Sequence, residues 1–302
     1  MAVDFKQIGL RLKAHRLGQG LTPEEAADRL GVSRAALYNY ERGSTPIKVE
    51  TLERIAEVLG VSLASLLGVG TEYFSTVVSY LERLRQIEQV SERITLFYEP
   101  LTFLLTSKDF STIFRQMLIE GLPATLDSDK VRREIDQIDE FLKTRHHVLE
   151  PGGPAIACIL GLTAVKRLVR TGLIGTFALP DAVRLERREL AYREVERTAK
   201  MMEEEPLGLQ IGVVEDTVPN QTFEICRLRE GGSVVAVSPY RFGELPNLRY
   251  GIASITAAAE AVSLYERLAD NMWRRSVKGK SGAALLRQAV IEVRSPEFRH
   301  VN

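Results

Sequence analysis

The 302-residue chain is longer than one ordinary domain and carries 40 basic and 40 acidic side chains, so it has no net charge with which to coat nucleic acid or an anionic surface. Hydrophobic residues make up 45% and charged residues 26%, a globular composition that excludes a chain disordered throughout. The N-terminus lacks an apolar signal-peptide core, and no run nears the ~18 apolar residues that cross a bilayer. The cytoplasm is the expected location, with no membrane partner. Two cysteines far apart, Cys158 and Cys226, exclude a disulfide framework and a C-x-x-C pair.

The first 67 residues predict five short helices. Ile8, Leu12 and Leu17 lie near one face of the first, which ends at Gly18–Gly20. Thr22 is a suitable N-cap for the second, with Pro23 at its first position and Glu25 completing a capping box. Ala26, Ala27 and Leu30 follow, and Gly31 permits a tight turn because it tolerates positive φ. Ser33 caps a third helix that stops at Gly43. Leu52, Ile55, Ala56 and Leu59 recur at helical spacing in a fourth, ended by Gly60. Ser62 caps a last turn through Leu66 and Leu67.

Taken in order, LTPEEAADRLGVSRAALYNYERGSTPIKVETLERIAEVLGVSLASLL resembles the Cro/C1-type helix-turn-helix family, also called the XRE family. The resemblance covers about a fifth of the chain. It implies a DNA-binding transcription regulator whose third helix enters the major groove by its N-terminal end. By resemblance, Arg34, Ala35 and Asn39 match the base-facing positions. Arg34 can donate two hydrogen bonds to guanine, Asn39 can pair with adenine, and Ala35 offers apolar contact. Thr22, Tyr38, Arg42, Ser44, Thr45 and Lys48 are the candidate phosphate contacts, which position rather than specify. Pro23 departs from the family, which very often has a phosphate-touching glutamine there. Met1–Gly68 holds nine basic and eight acidic residues, so only their placement can make a basic face.

Beyond Gly68, residues Phe74, Val77, Leu81, Leu84, Ile87, Val90 and Ile94 recur every three or four positions, which predicts an amphipathic connecting helix over 69–93. A core helix, a connector and a dimer seam all fit that stripe. From 94 to 302 strands and helices alternate, which predicts an α/β domain with a mixed sheet. The strand-like runs are ITLFY, LTFLL, PAIACIL, LIGTFAL, LGLQIGVVE, TFEICRL and SVVAVSP. Helices are expected near 110–120, 129–144, 163–171, 181–205, 256–275 and 281–290. Arg229-Glu230-Gly231-Gly232 reads as a hairpin turn.

No phosphate loop, nucleophile elbow, H-E-x-x-H or clustered Cys/His spacing occurs, so no enzyme activity, metal or cofactor is expected. His146-His147 reads as a solvated helix end, and both cysteines as buried small hydrophobes. A second domain of this size suggests a sensor of a small molecule, with the whole acting as a homodimeric repressor on a DNA operator. Tyr240, Arg241, Arg249 and Tyr250, in loops before the long late helix, would suit an anionic effector. The loop Glu150–Pro154 is a second candidate lining. An enzyme with an accessory DNA-binding domain and a protein-interaction adaptor remain open alternatives.

Overall fold

A computed structural model of the chain describes residues 4–123, 125, 129–145 and 152–295. Five helices occupy the N-terminal unit: α1 (Phe5–Gly18), α2 (Pro23–Leu30), α3 (Arg34–Arg42), α4 (Val49–Leu59) and α5 (Leu63–Leu67). Local chemistry sets their ends. Thr22 and Glu25 exchange side-chain and backbone hydrogen bonds at 2.8 and 3.2 Å, a complete capping box. Gly31 closes α2 in the left-handed region at φ 64°. Leu12, Leu30, Leu37, Ile55 and Leu66 are buried together at the centre. Each such side chain contributes roughly 1.5–3 kcal/mol through burial.

The segment after Gly68 corrects the expected connecting helix. Thr71–Phe74 form a strand, β1, and the helix is shorter, α6 (Val77–Glu88). Strand β2 (Ser91–Phe97) begins soon afterwards. The stripe from Phe74 to Ile94 is therefore buried except at Val90, which is exposed, and it spans three elements. In α6 nearly every residue is buried, charged ones included, because the helix is wedged between α1 and the sheet.

Among the described residues, eight strands form one mixed sheet in the order β1-β7-β6-β5-β2-β3-β4-β8. The later strands are β3 (Ala155–Gly161), β4 (Leu209–Val214), β5 (Thr222–Leu228), β6 (Ser233–Ser238), β7 (Ala253–Thr256) and β8 (Val277–Lys278). β2, β3 and β4 run parallel. Helices α7 (Phe110–Glu120) and α8 (Asp129–Arg145) join the first two, and α9 (Leu162–Thr171) and α10 (Asp181–Glu204) join the next two. Helices α11 (Ala259–Arg275) and α12 (Gly279–Arg294) close the unit. β5 and β6 form the expected hairpin, with Leu228 donating its N–H to the Gly232 carbonyl at 3.0 Å.

Strand alternation divides the core in two. Leu96, Cys158 and Ile211 are paired in register and face the helical layer built from α6 to α10 and α12. Phe97, Ile159 and Phe223 face the other way, under α11. Both cysteines are buried and unbridged.

Two strand-like runs are not strands. Within LTFLL, Phe103–Leu105 form a 3-10 turn, and Phe103 packs edge-on against Phe110 and Phe114. A short, wholly apolar run carries no periodicity to separate a strand from a buried turn. In LIGTFAL, the Leu173 N–H goes to the Arg187 carbonyl at 3.1 Å, and a Cβ on Gly175 would lie 1.9 Å from the Met117 carbonyl. That backbone is satisfied by helical neighbours instead of a ladder. Conversely, Ala253–Thr256 pair with both β1 and β6, so the long helix starts at Ala259 and not at Thr256. His146-His147 and Glu150–Pro151 lie outside the described residues.

Two buried ionic groups fix α6 in place. At its far end, the Arg145 guanidinium donates to Glu88 at 3.0 Å and to Glu224 at 3.1 Å. One cation thus serves two carboxylates, and burial beside Glu88 pushes the Glu224 carboxyl well above its ordinary range. The N-terminal unit is joined to the sheet by the second group. Glu72 of β1 accepts from Arg11 of α1 at 2.8 Å and from Arg83 of α6 at 3.0 Å. Gln86 donates to the Leu10 carbonyl at 3.1 Å, and the ring of His15 stacks on Phe74 with centroids 5.2 Å apart. The two units are thus docked through a largely buried junction.

Candidate nucleic-acid interface

The helix that carries the residues suggested for base reading is α3. Its inner side is held by Leu37, which is fully buried, and by Ala27 and Leu30 from α2. Ser33 caps its start by accepting from the Ala36 N–H at 3.1 Å. Its end is fixed from the other side. Arg16 of α1, 5% exposed, pairs with Glu41 at 2.5 Å and donates to the Leu21 carbonyl at 2.7 Å. Gly43 follows with φ 67°, where a Cβ would lie 2.4 Å from Lys6 Cα. The Glu-Arg-Gly ending of this helix is therefore mostly structural: Glu41 anchors and Gly43 permits close approach.

The outer side of α3 is free. Arg34, Ala35, Tyr38, Asn39 and Arg42 are all exposed. Arg34 and Ala35 stand at the N-terminal end and Asn39 one turn further on. Tyr38 and Arg42 form a local pair, with the guanidinium 5.3 Å from the ring centroid and 3.4 Å from the hydroxyl. Ser44 donates to the Asn39 carbonyl at 3.2 Å. Thr22, Thr45 and Lys48 are exposed around the same helix pair, whereas Pro23 is only half-exposed.

One neighbour escapes a sequence reading. Glu24 of α2 pairs with Arg34 at 2.7 Å, both side chains being more than half exposed. The Arg34 guanidinium is thus held by a carboxylate of the neighbouring helix. Residues ten apart on different helices carry no spacing rule, so only the docking of α2 on α3 reveals the pair. Arg16, His15 and Glu72 were likewise invisible, since each acts across elements.

The four loop residues suggested for an effector differ in exposure, and their loops are joined through Asn247, whose side chain accepts from the Tyr250 N–H at 3.0 Å. Tyr240 is buried against Tyr80, and burial pushes its phenol up to about 12. Arg241 is exposed, its backbone paired with Asn247. Arg249 stacks on the exposed ring of Tyr250 at 5.4 Å. Of these four, Arg249 lines a cavity between the two units.

Among the described residues, no helix is long and apolar enough to cross a membrane. Residues 12–66 match the Helix-turn-helix family model. The chain is 27% identical over 109 residues to the cryptic phage CTXphi transcriptional repressor RstR of Vibrio cholerae, covering 35% of this chain and 96% of that protein. It is 27% identical over 106 residues to the immunity repressor protein of Bacillus phage phi105, covering 32% and 74% respectively. Against the SPbeta prophage-derived uncharacterized HTH-type transcriptional regulator YonR of Bacillus subtilis (strain 168), identity is 37% over 60 residues, or 20% of this chain and 56% of the other. Among solved structures, the apo form of the competence regulator ComR from Streptococcus vestibularis matches at 17% identity with a TM-score of 0.20, over 66% of this chain and 52% of that one. The N-terminal part of this chain is therefore a Cro/C1-type helix-turn-helix domain, of the kind that serves DNA-binding regulation.

Proposed function

We propose that the chain is a sequence-specific transcription regulator, acting as a homodimeric repressor, in which Arg34, Ala35 and Asn39 read bases. Thr22, Tyr38, Arg42, Ser44, Thr45 and Lys48 hold phosphates, and the α/β unit senses a small molecule that changes operator affinity. The observation that carries the reading is α3 itself. Its inner side is locked by Leu37 and by the Arg16–Glu41 pair, and its outer side presents a guanidinium, a methyl and an amide toward solvent. A rigid frame with solvent-exposed hydrogen-bonding groups at the helix start, Arg34 exchanging its exposed pair with Glu24 for a base, is what major-groove reading requires. The repressor relatives support the sign of regulation. A homodimer follows from the size of one recognition helix, since one such helix covers a single half-site and two-fold pairing doubles it.

The test is selection of a binding duplex from a randomised pool, followed by titration of that duplex with wild type and Arg34→Ala. Loss of roughly 1–3 kcal/mol, confined to one base position, is the expected result. Unchanged sequence preference in the variant would remove Arg34 from the readout, and failure to select any duplex would overturn the proposal.

A further inference from the structure

We infer that the junction between the helix-turn-helix unit and the α/β unit is a binding site for a small monocarboxylate with an apolar body. The inference rests on the reading of the α/β unit as a sensor and gives that sensor a place and a ligand class. A cavity of about 350 Å³ opens where the units meet. That volume sits within the range of roughly 300–1,000 Å³ common for small-molecule sites.

Its walls come from both units. Leu17 and Gly18 close it from the end of α1, Val77 from the start of α6, Leu118 from α7 and Ile135 from α8. The lining is mainly aliphatic, which selects an aliphatic or aromatic body by excluding its surface from water. Arg249 is the one cation in the lining among the described residues. Its hydrogen-bond partner there is the Tyr250 hydroxyl, at 3.3 Å, so the guanidinium keeps donors for a planar carboxylate. Glu134 also lines the cavity and carries the opposite charge. An amine would look to Glu134 and an acid to Arg249, which makes the two chemistries separable. Arg matches a carboxylate bidentately, so the acid is the assignment.

The position gives the ligand a route to the DNA-binding surface. Leu17 is adjacent in sequence to Arg16, which holds Glu41 at the end of the recognition helix. Gly18 meets α6 without slack, since a Cβ there would lie 2.5 Å from the Ser79 Cβ. An occupant that shifts α1 on α6 therefore carries α3 with it. Operator affinity changes only if the ligand binds one arrangement of the units better than the other.

The experiment measures binding to the full-length protein calorimetrically, with octanoate and 3-phenylpropionate as probes and octanamide and octylamine as controls. Both acids are expected to bind and the amide at least tenfold more weakly. Arg249→Gln, on the surface, should remove the preference for acid over amide. Leu118→Trp, which fills the cavity, should abolish binding. Binding of neither acid, equal binding of acid and amide, preference for octylamine, or acid binding untouched by Arg249→Gln would each overturn the site. Operator affinity is read separately, on a duplex selected from a random pool. Acid binding through Arg249 with unchanged operator affinity leaves the site standing and refutes the sensor reading.

Discussion

His15 lies at the junction that orients the DNA-binding unit, and its burial makes that junction sensitive to acid. Its ring stacks on Phe74, its Nε2 has no hydrogen-bond partner among the described residues, and the side chain is 5% exposed. Burial lowers its pKa from 6.5 to about 4, with Glu72 pulling upward and Arg83 and Arg11 pressing further down. The folded value lies below the unfolded one, so the unfolded chain takes up the proton first as pH falls. Stability from the neutral imidazole is complete above the unfolded pKa, is lost between 6.5 and about 4, and levels off below that. The full loss is ~3 kcal/mol, of which ~2 kcal/mol has gone by about pH 5. The perturbation is His15→Phe, which keeps the stack on Phe74 and removes the titrating group. Urea unfolding of both proteins at several values between about pH 7.5 and 5 gives the comparison, because every other group titrates equally in the two. Wild type should lose ~2 kcal/mol more than the variant across this range. Parallel pH profiles would refute the argument that His15 is buried neutral at this contact.

Three further outcomes are expected. Glu24→Gln releases Arg34 from its exposed ion pair and removes a negative charge near the phosphates, so operator binding should tighten by no more than about fivefold; weaker binding would mean that Glu24 positions Arg34 instead. Lys48→Ala should weaken binding to all duplexes alike and reduce the salt slope by about one, as measured by titration at several salt concentrations. Arg145→Met leaves Glu88 and Glu224 buried together without their cation and should cost about 3–5 kcal/mol in urea unfolding, while a change below about 1 kcal/mol would refute the reading of Arg145 as the cation that holds this group together.

The N-terminal unit was legible because its determinants are local. Thr22, Gly31, Ser33 and Gly43 act on their own turns, and the apolar positions repeat with the helical period. A capping box or a left-handed glycine needs no distant partner. The exposed positions on α3 follow from the same period, once Leu37 is known to face inward. Composition and alternation also predicted a mixed sheet, and the Gly231-Gly232 hairpin marked its antiparallel half.

What the sequence could not decide lies between elements. The stripe from Phe74 to Ile94 satisfies helical spacing, yet only the neighbours determine that Phe74 belongs to an edge strand and Ile94 to a central one. β1 and β7 are short and pair with each other across most of the chain, so neither has a local signature. Glu72, His15 and Arg83 belong to no sequence motif, and the tertiary structure buries them because α6 must pack against α1 and the sheet at once. Burial converts an Arg–Glu contact from a weak surface pair into a constraint on orientation, since separating it would strand charge away from water. The sequence by itself determined that a capped helix follows the tight turn at Gly31 and which side chains it exposes. The tertiary structure decided that this helix is held firmly to a second unit, with a cavity at the joint, because desolvation and packing depend on what lies across the interface and not on what lies next in the chain.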